Sequence, residues 1–135
     1  MKQELVDQLY KAAPKLYHTE PPLSDLGTRS PRTIAREYGP PYVGVSDGWF
    51  QILLDLSVAL EALGEDITIT QIKEKFGGLR FYVDGCSNTA WKLIEEAEEL
   101  SETTCEVCGE PGKSRGGGWI SVLCDKHEAN DADPI

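Results

Sequence analysis

Three cysteines and a histidine in the last third of the chain form two pairs, Cys105-x2-Cys108 and Cys124-x2-His127, with fifteen residues between them. A gap of two residues lets one tight turn bend both side chains of a pair toward the same point. Two such pairs joined by a loop of this length offer four N and S donors to a tetrahedral ion. The spacing therefore predicts Zn2+ as cofactor, with Cys105, Cys108, Cys124 and His127 as its ligands. Other chemistries compete for these residues. Disulfides belong to oxidising compartments, and the N-terminal "MKQELVDQLYKAAPKLYH" mixes acids into its apolar positions, unlike an export signal. A redox Cys-x-x-Cys would accompany a βαβ unit and has no need of a second pair. Catalytic zinc keeps one position open for water, whereas four protein donors close the shell, so a structural role is expected. Cys86 has no companion at ligand spacing and reads as a small loop or core thiol.

Placing these donors requires particular local elements. Gly109, directly after the first pair, permits the sharp backbone turn of a knuckle. Residues 113–123, interrupted by Gly116-Gly117-Gly118, can return as a short hairpin to the second pair. Residues 104–127 thus read as a zinc-ribbon or treble-clef-like module packed on the preceding residues 1–103.

Those upstream residues read as a small α+β core. Leu5, Leu9, Ala12 and Leu16 follow the helical period, predicting a helix over 2–13 that Pro14 disrupts. Residues 19–48 are proline-rich and aperiodic, and are expected to be irregular. They carry the one notable basic cluster, Arg29, Arg32 and Arg36. Ser46 or Asp47 is expected to cap a core helix through "GWFQILLDLSVALEALG", which Gly64 ends. "DITITQIKEKFGGLRFYVDG" predicts a β-hairpin turning at Gly77-Gly78, with Leu79, Phe81 and Val83 on its apolar side. Ser87 caps a second helix, in which Ala90, Leu93, Ile94 and Ala97 face inward and Glu95, Glu96, Glu98, Glu99 and Glu102 crowd the other side. Residues 128–135 are expected to be a disordered acidic tail.

The net charge is −10, unevenly spread: 9 Lys/Arg against 12 Asp/Glu over residues 1–86, and 4 against 11 over 87–135. Phosphate backbones attract cations and repel carboxylates, so this balance disfavours direct nucleic-acid binding and suits a partner with a basic surface. No run is long and apolar enough for a membrane span, and a cytoplasmic location is expected. "KFGGLRFYV" differs from an RNA-binding aromatic strand in the order of its glycines and aromatics. P-loop and H-E-x-x-H patterns are absent, and no enzyme is expected.

In the order of its motifs the chain resembles a family of short bacterial and bacteriophage proteins. The resemblance rests on Asp47-Gly48-Trp49, the hairpin from Gln71 to Tyr82, the Glu-rich helix from Ala90 to Glu102 and the Cys/His module from Cys105 to His127. It implies a phage or prophage setting. Charge and setting together suggest a non-enzymatic, zinc-stapled interaction protein that binds, and inhibits, a host protein or complex that handles nucleic acid. Glu95, Glu96, Glu98, Glu99, Arg29, Arg32 and Arg36 are the candidate contacts. Two alternatives stand beside it: a zinc-ribbon accessory or transcriptional regulator that binds nucleic acid through the arginines with Lys113 and Arg115, and an enzyme with an open zinc or a reactive Cys86.

Overall fold

A computed structural model describes residues 1–19, 40–116 and 118–131, the side chains of 129–131 excepted. The order of elements is α1 (Gln3–Ala12), β1 (Val43–Gly44), a 3-10 turn (Asp47–Trp49), α2 (Phe50–Leu63), β2 (Thr68–Lys75), β3 (Gly78–Asp84), α3 (Asn88–Ser101), β4 (Lys113–Arg115), β5 (Ser121–Leu123) and α4 (Asp125–Asp131). The class is α+β, as the alternation of helical and strand periodicities implied.

The centre of the molecule is α2, whose Ile52, Leu53, Leu56 and Leu60 are buried. It packs against α1 on one side and α3 on the other, and α3 in turn packs on β3. From α1 come Val6 and Leu9. The turn after Pro14 is tied down by Glu61, whose carboxylate accepts from the Lys15 and Leu16 N–H groups at 3.1 and 2.9 Å. Tyr17 is fully buried there and shares a 2.7 Å hydrogen bond with Ser57. Burial drives its phenol pKa upward, so Tyr17 stays neutral.

The main sheet has the order β1-β2-β3, with β1 parallel and β3 antiparallel to β2. The short strand β1 lies inside the stretch expected to be irregular; its two residues offer no alternation to read. Residues 20–39, with Arg29, Arg32 and Arg36, lie outside the described residues. In the hairpin Lys75 pairs with Gly78, so the turn is Phe76-Gly77, one residue earlier than expected. Both turn residues have positive φ, +54° and +80°, the combination that matches the twist of a two-residue hairpin.

Two expected caps fare differently. Ser87 Oγ accepts from Ala90 N–H at 3.2 Å at the start of α3. At α2 the 3-10 turn intervenes, neither Ser46 nor Trp49 makes a side-chain cap, and Asp47 instead accepts from the Lys2 N–H at 2.8 Å. Gly64 ends α2 in the left-handed conformation, as its position suggested. The last helix, α4, runs on to Asp131, so the stretch expected to be a tail begins inside a helix. Among the described residues no helix is long and apolar enough to cross a membrane.

Candidate metal centre

The first pair of donors stands on a tight turn. Gly109 N–H donates to Cys105 O at 2.9 Å, and Gly109 adopts φ +84°, which closes the knuckle. The second pair is carried by the β5–α4 junction. Cys124 follows β5 directly, and its carbonyl accepts from His127 and Glu128 N–H at 3.1 Å each, so His127 projects from the first turn of α4. Antiparallel pairing of β4 and β5, with Lys113 opposite Leu123, returns the chain from the knuckle to this junction.

The four donor atoms lie within 4.8 Å of one another. Cys108 Sγ is 3.7 Å from Cys124 Sγ, while His127 Nδ1 is 3.2 Å from Cys124 Sγ and 3.6 Å from Cys105 Sγ. Donors at about 2.3 Å (S) and 2.0 Å (N) from a tetrahedral centre lie about 3.8 Å (S–S) and 3.5 Å (S–N) apart. These three separations match a tetrahedral ion to within a few tenths of an ångström, and closing the widest pair around the ion takes at most about 1 Å. All cysteines are free thiols, which leaves their sulfurs available as ligands.

Local electrostatics favour the thiolate at the innermost ligand. Burial of Cys105 opposes ionisation, but backbone N–H groups of Cys124, Cys108 and Val107, with the His127 ring, outweigh it and bring the pKa down to about 6. At Cys108 the Glu110 N–H favours the thiolate, but burial and the neighbouring Cys124 and Cys105 sulfurs prevail and the pKa is raised. Two sulfurs in contact cannot both ionise cheaply without a cation between them.

Around the donors, Arg115 fixes their supports. Its guanidinium donates to Leu123 O at 2.9 Å, to Asp125 Oδ1 at 2.8 Å and to Glu128 Oε1 at 2.8 Å, clamping β5 and α4 on either side of Cys124. The sequence suggested Arg115 as a nucleic-acid contact; the structure commits it to its own module. A basic residue nine before Cys124, with acids one and four after it, is the signal that could have found the clamp.

Docking of the module on the core depends on Asp47-Gly48-Trp49. Gly48 N–H donates to Glu106 O at 2.9 Å, and buried Trp49 donates its indole N–H to Thr104 O at 2.9 Å. A Cβ on Gly48 would lie 2.3 Å from Cys105 O, so the two backbones meet where only glycine fits. The module's own buried cluster is small, Cys105, Leu123 and Cys124, beside the extended core formed by α1, α2, α3 and the sheet.

The acidic residues separate into two kinds. Glu95, Glu96 and Glu99 are exposed on α3. Glu98 is half-buried and accepts from Phe81 N–H at 2.9 Å, while Ser101 Oγ accepts from Leu79 N–H at 2.9 Å. These two side chains cover the outer edge of β3, so Glu98 serves the sheet. Cys86 is half-buried against the main core, apart from the cluster.

Compared with family models, with curated proteins and with solved structures, the chain matches none.

Proposed function

We propose that the protein is a non-enzymatic interaction module whose C-terminal part is stapled by one structural zinc ion. The closed four-donor cluster carries this reading. It has three sulfurs and one imidazole, the donor set zinc favours, and a tetrahedral ion held by all four has no position left for substrate or activating water. The path of knuckle, β-hairpin and then a helix bearing His127 is treble-clef-like; a zinc ribbon would place the second pair on another knuckle. The ion acts as a staple, because 28 residues around a three-residue buried cluster cannot bury enough apolar surface to hold themselves together.

The partner is a macromolecule with a basic surface, approached by the exposed Glu95, Glu96 and Glu99 of α3. In a phage or prophage setting this is a host protein that handles nucleic acid, inhibited because carboxylates occupy its phosphate-binding surface. Of the contacts named for the nucleic-acid alternative, Arg115 is bound to Asp125 and Glu128. The test compares wild type with Glu95→Lys/Glu96→Lys/Glu99→Lys as bait in nuclease-treated bacterial lysate. Glu98 is left alone because it serves β3. Stoichiometric capture of a protein by wild type and its loss in the variant is expected; equal capture by both refutes the acidic-face reading.

A further inference from the structure

Tyr42, Phe76 and Trp119 expose 84, 73 and 74% of their surface, the largest such values among the described hydrophobic residues, and they come from three separate segments. Scattered exposed aromatics are unremarkable, but these three surround two adjoining cavities. One, of about 410 Å³, is lined by Tyr42, Trp119, Glu74 and Glu106, with Trp49 at its floor. The other, of about 350 Å³, lies between Phe76 and Trp119 and again includes Glu74. Trp119 and Glu74 thus form the wall common to both.

This arrangement is held in place. Phe76 occupies the left-handed region, φ +54°, a conformation that costs a non-glycine residue about 1 kcal/mol. That strain puts a large apolar side chain at a hairpin tip facing water. Gly77 beside it approaches Ile120 so closely that a Cβ would lie 2.9 Å from Ile120 Cγ2, locking the tip against the loop that carries Trp119. Glu74 accepts from Gly77 N–H at 2.7 Å, which fixes its carboxylate at the mouth.

Exposed π-faces with carboxylates between them are complementary to a cation that keeps an apolar stem. The hairpin already uses this chemistry internally: Lys73 Nζ lies 5.8 Å from the Tyr82 ring centroid and Lys75 Nζ 5.5 Å from that of Phe76. Tyr42 and Trp119 have no such cation among the described residues. Arginine suits the gap better than lysine, because its planar, weakly hydrated guanidinium stacks on aromatic faces and donates to carboxylates at once.

We propose that the cavity between Tyr42 and Trp119 binds an arginine side chain of a basic segment in the partner protein, stacked between the two rings and directed at Glu74. The proposal rests on the interaction-module reading and names a contact separate from the acidic face of α3. Because Trp119 belongs to the β4–β5 loop, the metal module supplies one wall of this cavity.

The probe is a short glycine–arginine peptide, with its citrulline and lysine analogues, titrated calorimetrically into zinc-loaded full-length protein. Tyr42→Ala and Trp119→Ala are expected to weaken arginine-peptide binding about tenfold each. The citrulline peptide, isosteric but neutral, is expected not to bind, and the lysine peptide to bind more weakly. Both variants remove exposed side chains, and unchanged metal content and urea midpoint will show that they fold. Equal affinity in wild type and both variants, or equal binding of the citrulline peptide, overturns the aromatic site. If the peptide binds these variants normally but not Glu95→Lys/Glu96→Lys/Glu99→Lys, the aromatic site is overturned; the converse result supports the site, and the acidic-face reading is decided separately by the lysate capture.

Discussion

Replacing Gly48 by alanine is expected to undock the metal module from the core. The added Cβ would lie 2.3 Å from Cys105 O, 2.4 Å from Glu106 C and 2.6 Å from Glu106 O, all backbone atoms of a closed knuckle. No rotamer relieves such a clash, so the 3-10 turn and the knuckle must separate by about 1 Å to reach ordinary contact. Retreat by that distance breaks the 2.9 Å bonds from Gly48 N to Glu106 O and from Trp49 Nε1 to Thr104 O. Each is worth about 1 kcal/mol, more where a buried donor is left unpaired, and residual overpacking adds about 1–3 kcal/mol. The sum is about 3–5 kcal/mol, a large part of the 5–15 kcal/mol that holds a typical domain together. Gly64→Ala is the control: it sits at φ +70° with nothing within 4 Å, so its cost is backbone strain alone, about 1 kcal/mol. In urea, with a slope of about 2 kcal/mol per M, Gly48→Ala should lower the midpoint by about 2 M and Gly64→Ala by about 0.5 M. Chelator-driven metal loss should speed up in the first variant only. Coincident midpoints for the two variants would refute close packing of the knuckle on Gly48.

Elemental analysis of protein purified in the presence of zinc should give about one zinc per chain, and Cys108→Ser should lose it. Hydrogen exchange in that variant should rise over residues 104–131 far more than in α2, whose core is separate from the module's. Arg115→Ala should accelerate metal transfer to a chelator by about 10–100-fold without touching a ligand, and Arg115→Lys should not rescue it, because one ammonium cannot reproduce the fork spanning Leu123, Asp125 and Glu128. Glu98→Ala should cost about 1–2 kcal/mol by denaturation, with Glu98→Gln recovering much of it through its carbonyl, whereas alanine at Glu95, Glu96 or Glu99 should change stability by less than about 0.5 kcal/mol.

What the sequence disclosed follows from the range of the interactions involved. The donor set was legible because a Cys-x2-Cys turn is built by five adjacent residues, and Gly109 marks it. The Ser87 cap and the Gly64 stop were legible for the same reason: each satisfies backbone groups within one helical turn. Strand β1 was not, since two residues carry no period and its partner Ile72 is 29 positions away. The hairpin turn was misplaced because Gly77-Gly78 is the lower-cost pair for positive φ, yet the pairing of Lys75 with Gly78 puts Phe76 there. Glu98 was indistinguishable from its acidic neighbours in sequence; only the passage of β3 beneath α3 gives its carboxylate an N–H to accept.

Asp47-Gly48-Trp49 shows how a short motif with no chemistry of its own can govern a candidate metal site. Asp47 takes the Lys2 N–H at the start of α1, Gly48 abuts the knuckle, and Trp49 buries its ring in the main core while its indole N–H reaches Thr104 O. Three parts of the fold are thus registered on three consecutive residues. An ion that rigidifies Cys105 and Cys108 also fixes the carbonyls of Thr104 and Glu106, which are the acceptors for Trp49 and Gly48. Free energy from a metal bound at this cluster would therefore pass into the packing of α2 through two hydrogen bonds and one close backbone approach. The aromatic cavity draws on the same linkage, since Trp119 is carried by the module and Trp49 forms the floor. Losing the metal would slacken one wall of that cavity while leaving the carboxylate of Glu74 in place on β2.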